Sequence, residues 1–191
     1  MVWDGWQRFQ NPAAAPITAV SKENVPAPLV APVVGAAVIT TLPAVATGKI
    51  ITVKTDTLDV AINTVGGDIE RLAFVQHPDA NDKKLPFVLF SKGQGTHNYV
   101  AQTGLLGADL PTHNSVFTAD KDAYTLQDKD ENIAVVLTTT TASGIIVSKT
   151  LTFHKASYLI DVAYKIDNYS GVAVKTSAYF QLVRDGIEPA G

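Results

Sequence analysis

A chain of 191 residues that is 46% hydrophobic and 17% charged carries enough apolar side chain for a buried core and is too apolar to be disordered throughout. Its 15 Lys and Arg against 18 Asp and Glu leave a net charge of -3, which excludes the basic footprint that nucleic acid requires. Cysteine is absent, and thiolate catalysis, cysteine-based zinc sites and disulfides go with it.

At the N-terminus, Asp4 interrupts the chain too early for the basic and apolar regions of a secretory signal. Trp3 and Trp6 beside Arg8 read as membrane-interface anchors, because indole rings favour the headgroup level of a bilayer. The competing reading is two tryptophans in a frayed terminus. From Asn11 to Thr47 the chain is rich in Ala, Val and Thr, and Pro12, Pro16, Pro26, Pro28, Pro32 and Pro43 break every candidate helix. The uncharged stretch Val25 to Gly48 is long enough to raise a membrane span, but its prolines favour an extended, disordered linker.

From Lys49 the apolar residues recur with period two, the mark of strands with one buried face. Ile51 and Val53 form a first hairpin with Leu58, Val60 and Ile62 across Thr55-Asp56-Thr57. Val65-Gly66-Gly67-Asp68 is a second turn, and Ile69 to Phe74 a third strand. Between His77 and Asp122, short strands at Phe87 to Phe90 and Tyr99 to Gln102 lie among long loops. After a strand at Ala123 to Leu126, Ile133, Val135 and Leu137 pair with Ile145, Val147, Leu151 and Phe153 in a long hairpin across Ala142-Ser143-Gly144. Tyr158, Ile160, Val162, Tyr164 and Ile166 then alternate with Asp161, Lys165 and Asp167. The Asn168-Tyr169-Ser170-Gly171 turn reverses the chain, and Val172 to Val183 returns. About nine or ten strands without helical periodicity imply an all-β, antiparallel β-sandwich, its last strand short of a neighbour.

No chemistry-bearing constellation stands out. His77, His97, His113 and His154 lack metal-ligand spacing, so neither metal nor cofactor is expected. His97 and His113, in loops near Asp109, read as solvated, with a composite site as the alternative. Asp68, Glu70, Asp161 and Glu188 sit at turns or on polar strand faces, where solvation accounts for them, so no catalytic residue is assigned. Gly66-Gly67-Asp68 lacks the spaced glycines, lysine and helix of a phosphate loop. Asn168-Tyr169-Ser170 reads as turn chemistry rather than a glycosylation site, and Lys83-Lys84 as a solvated loop feature. Tyr99, Tyr124, Tyr158 and Tyr164 are the candidate aromatic platforms of a carbohydrate-binding alternative, although Tyr158 and Tyr164 fit the inward alternation and a core role.

A resemblance sharpens this. Gly48 to Asp56, Leu58-Asp59-Val60, Asn63 to Ile69, Tyr99 to Leu105, Lys121 to Tyr124, Lys149 to Phe153 and Phe180-Gln181-Leu182 resemble, in order, the first periplasmic region of the bacterial YidC membrane-protein insertases. The resemblance implies that residues 1–10 end a truncated first transmembrane helix, with Trp3 and Trp6 at the interface. Residues 11–47 would be a periplasmic linker, and residues 48–191 the N-terminal part of a β-supersandwich like that of the galactose mutarotases. It also implies a bacterial inner-membrane protein whose partners are nascent membrane proteins and the Sec translocon with its accessory subunits. That protein would act as an insertase and chaperone without a catalytic site in this region. The competing function is a soluble carbohydrate-binding or mutarotase-like sandwich, for which fold alone is no argument. Part of a supersandwich exposes strand edges and apolar surface, so self-association of this chain is expected.

Overall fold

Alternating apolar and polar side chains place one row on each face of a strand, and from Ile50 onward that alternation is realised in β-structure. A computed structural model describes residues 48–93 and 98–186. Its strands are β1 (Ile50–Lys54), β2 (Leu58–Asn63), β3 (Asp68–Pro78), β4 (Pro86–Phe90), β5 (Tyr99–Leu106) and β6 (Thr118–Ala119). They are followed by β7 (Ala123–Thr125), β8 (Asn132–Thr140), β9 (Ile145–His154), β10 (Ile160–Asn168) and β11 (Ser177–Arg184). Among the described residues there is no helix. A seven-stranded sheet runs β11-β5-β3-β2-β1-β7 with β4 also on β3, and a four-stranded sheet runs β10-β9-β8-β6.

The local reasons are visible at the turns. Thr55 Oγ1 accepts from the backbone N–H of Thr57 (3.2 Å) and Leu58 (2.9 Å), closing the β1–β2 hairpin around the Val53–Val60 pair. The β2–β3 turn needs Gly66 (φ 74) and Gly67 (φ 62) in the left-handed region. A Cβ on Gly66 would sit 2.3 Å from the His113 carbonyl oxygen, and one on Gly67 2.6 Å from the Leu137 side chain. The turn is therefore pressed into the sandwich. The long β8–β9 hairpin forms as expected, with Val135 opposite Leu151 and Ile133 opposite Phe153.

Three expectations are corrected. The short strand at Ala123–Thr125 lies parallel to β1, Val53 opposite Tyr124, so the larger sheet is mixed rather than wholly antiparallel. A parallel neighbour needs a crossover, and the excursion through β6 in the other sheet supplies it. The strand begun at Ile69 starts at Asp68 and runs on to Pro78, since its far half finds β4 as a partner. The segment after the Asn168 turn does not return beside β10. It crosses to the other sheet and pairs with β5, Phe180 opposite Thr103, with Tyr179 set where Gly104 leaves room. A Cβ on Gly104 would lie 2.5 Å from the Tyr179 hydroxyl.

Between the sheets, Ile51, Val53, Val60 and Ile62 pack with Val135, Leu137, Leu151 and Phe153, all at most 1% exposed. Each such side chain contributes about 1.5–3 kcal/mol of burial. A smaller cluster of Leu105, Leu110, Ile145 and Val147 continues the core toward β5.

Candidate functional site

The sheets are not closed on each other everywhere. Where β5 and β11 of the larger sheet face β9 and β10 of the smaller, an apolar groove of about 390 Å³ remains, lined by Ala101, Leu151, Ile160, Val162, Phe180 and Leu182 among others. Phe180 and Leu182 are 62% and 61% exposed, although the same alternation buries their counterparts on β1 and β2. Among the described residues β10 and β11 are the terminal strands of their sheets, so both rims carry backbone groups to which no described strand pairs. A 2.6 Å hydrogen bond between Thr103 Oγ1 and Tyr164 Oη ties β5 to β10 across it.

The inner end of the groove is polar. Lys149 lies on the inward row of β9, between Val147 and Leu151, and is 1% exposed. Its Nζ donates to the carbonyl oxygens of Gly66 (2.9 Å) and Gly67 (2.7 Å), and lies 6.0 Å from the Tyr164 ring centroid. Asp68, 4% exposed, accepts from Gln102 Nε2 through Oδ2 (2.9 Å), and Gln102 Oε1 accepts from Gln181 Nε2 (2.8 Å). Oδ1 of Asp68 is buried without a hydrogen-bond partner. Burial pushes the Asp68 carboxyl up to about 7, against the pull of Lys149, and burial lowers Lys149 to about 8, against the pull of Asp68. Loss of hydration outweighs mutual attraction in both. Burial also pushes the Tyr164 hydroxyl up to about 12.

The residues singled out from sequence are dispersed. Asp68 is not a solvated turn carboxylate but the buried carboxyl of this cluster, because the Gly66-Gly67 turn folds into the sandwich. His113 is likewise not a solvated loop side chain. It is 1% exposed, with Nδ1 2.7 Å from Tyr179 Oη and its backbone N–H donating to the same oxygen. Asp109 Oδ2 accepts from the Ser143 N–H instead (2.8 Å). Trp3, Trp6, His97 and Glu188 lie outside the described residues. His77 Nε2 contacts Tyr158 Oη at 2.9 Å and His154 Nε2 contacts Asp161 Oδ2 at 2.8 Å, both at the surface. Glu70 accepts from Asn63 and pairs with Lys92. Among the described residues no group of three or more His, Asp or Glu is placed to hold a metal ion.

The four tyrosines do not share a platform. Tyr99 packs edge-on against Phe90 and Tyr124 donates to Asp120, while Tyr164 bonds Thr103. Tyr158, expected in the core, is 45% exposed, since it precedes β10 and packs edge-on against Phe74 at the groove. Asn168 spends its side chain on the turn, donating to the Val172 carbonyl. Lys149 is the residue the sequence reading passed over. Its signal was present: it occupies an apolar parity in Ile145, Val147, Lys149, Leu151, Phe153, where an unpaired lysine is costly.

The described residues therefore define an all-β sandwich with an apolar groove and a buried polar end, its histidines at positions 77, 113 and 154 engaged in separate contacts. Residues 50–191 match the family model of the YidC periplasmic domain. The chain is 37% identical over 213 residues to the membrane protein insertase YidC of Nitrosospira multiformis, covering 100% of this chain and 37% of that protein. It is 40% identical over 194 residues to that of Methylobacillus flagellatus, with 97% and 35% covered, and 39% identical over 196 residues to that of Laribacter hongkongensis, with 97% and 34% covered. The chain belongs to the YidC family and spans roughly a third, 34% to 37%, of the length of these relatives. None of the described residues forms a helix long and apolar enough to cross a membrane.

Proposed function

We propose that this chain is the periplasmic portion of a bacterial inner-membrane insertase and chaperone, which helps apolar segments of nascent membrane proteins enter and fold in the bilayer, alone or beside the Sec translocon. The observation that carries the reading is the match of the entire β region, residues 50–191, to the YidC periplasmic domain. In this reading residues 1–10 close a first transmembrane helix, residues 11–47 link it to the sandwich, and Trp3 and Trp6 sit at the interface. The work is not bond-breaking. Membrane-embedded segments of the whole protein lower the cost of moving polar flanks across lipid, and the β domain outside presents a preorganised surface for docking.

The test uses the full-length parent protein in bacteria depleted of their own insertase. Restored growth, with restored protease protection of a test membrane protein, is the expected result. Alkaline phosphatase fused after Gly186 should be active, as in the periplasm. Failure to restore insertion by a stably expressed parent overturns the functional reading, and an inactive fusion overturns the sidedness.

A further inference from the structure

Lys149 joins the two sheets where strand pairing cannot. It projects from β9 of the smaller sheet, flanked by Leu137 on β8 and Tyr164 on β10, and reaches the β2–β3 turn of the larger. The geometry is incomplete for an ion pair. The ammonium spends its hydrogen bonds on two neutral carbonyls, Asp68 spends Oδ2 on Gln102, and Asp68 Oδ1 has no hydrogen-bond partner. Two buried charges that attract without bonding recover little of their lost hydration. The turn they share has no slack, since Gly67 already lies where a Cβ would press on Leu137 and on the Lys149 side chain.

We propose that Asp68 and Lys149 form a pH-sensitive latch at the inner end of the groove: ionised together they weaken the tie between β9 and the β2–β3 turn, and neutralising either one tightens it. A neutral amine keeps two N–H groups, enough for the carbonyls of Gly66 and Gly67. The other ionisable groups bearing on the pair are Tyr164 beside Lys149 and, around Asp68, Glu70 on β3, Lys92 after β4 and Tyr179 on β11. His113 touches the Tyr179 hydroxyl from its loop.

The sign follows from linkage. Asp68 rises from its ordinary 3.8 to about 7, so its contribution is present below 3.8 and is lost as pH rises through 7. Lys149 falls from its ordinary 10.5 to about 8, so its contribution is present above 10.5 and is lost as pH falls through 8. The latch is weakest between pH 7 and 8 and tightens on either side. This is opposite to the dome usual for globular domains, whose stability peaks between about pH 5 and 8.

The experiment compares the 191-residue chain with its Asp68→Asn/Lys149→Met double variant by urea unfolding from pH 5 to 10, together with exchange of the Gly66 amide, which donates to the Ser115 carbonyl. The double variant forfeits the two Lys149 hydrogen bonds at every pH, so the reading is the change with pH: its stability relative to the unmodified chain should be greatest between pH 7 and 8 and fall by up to about tenfold in unfolding constant per pH unit on each arm. Gly66 exchange in the unmodified chain, corrected for its intrinsic rate, should be fastest in the same window. A difference that is flat, or largest at the ends of the range, overturns the proposal. Should the double variant not fold, NMR titration of the Lys149 ε-CH₂ decides. A midpoint well below that of exposed lysines, falling further in Asp68→Asn, is expected. A midpoint at the ordinary lysine value, or one indifferent to Asp68→Asn, overturns it.

Discussion

The half of the sandwich built on β1, β2 and β8 and the margin built on β5, β10 and β11 are written in the same sequence language and end in opposite states. Val53 and Val60 are at most 1% exposed, while Phe180 and Leu182 are above 60%. Both pairs sit on strands with period-two alternation, and both point toward the other sheet. The difference is what stands opposite. β1 and β2 face the apolar row of β8 and β9, whereas Phe180 and Leu182 of β11 line the open groove. Apolar parity marks the face that seeks cover; it does not supply the cover.

The comparison is broken most directly by emptying the closed half. Phe153→Ala removes a ring with no exposed surface and should cost about 3–5 kcal/mol, read as a lower urea midpoint at unchanged slope. Gly67→Ala attacks the join between the halves. A side chain at φ 62 that also meets Leu137 should cost about 1–3 kcal/mol, and a Leu137→Ala cost that is smaller in the Gly67→Ala background than in the unmodified chain would identify the clash as the cause. At the open margin the effect should move from stability to association. Phe180→Asp should change unfolding by less than about 0.5 kcal/mol yet suppress the concentration-dependent self-association expected of exposed β10 and β11 edges. Sedimentation velocity over a dilution series checks this, and a monomer at every concentration before mutation removes the expectation. His154→Ala, which breaks a surface contact to Asp161, should be the mildest, below about 0.5 kcal/mol by the same unfolding assay.

Much of the fold was legible. The β1–β2 and β8–β9 hairpins follow from alternation and turn residues, and Gly66-Gly67 announced its positive-φ turn. Non-local pairing was not. Nothing local to Ala123–Thr125 states that it runs parallel to β1, and nothing in Ser177–Arg184 states that it leaves β10 for β5. The β11–β5 pairing sets Tyr179 against Gly104, residues far apart in the chain, where a larger side chain would not fit. The same limit hid the candidate site. Asp68 beside two glycines has the composition of a solvated turn, and only the approach of β9 turns that position into interior.

What the sequence by itself determined is the class of structure and the family: alternation marks the main strands between Ile50 and Arg184, and motifs from Gly48 to Leu182 carry the YidC resemblance. What only the tertiary structure decided is which apolar rows find a partner, which strands share a sheet, and that Lys149 and Asp68 meet inside. The physical reason is one of range. Strand formation and turn chemistry are set by neighbours a few residues away, whereas burial, desolvation and the resulting shifts in ionisation depend on atoms that the chain brings together only once it has folded.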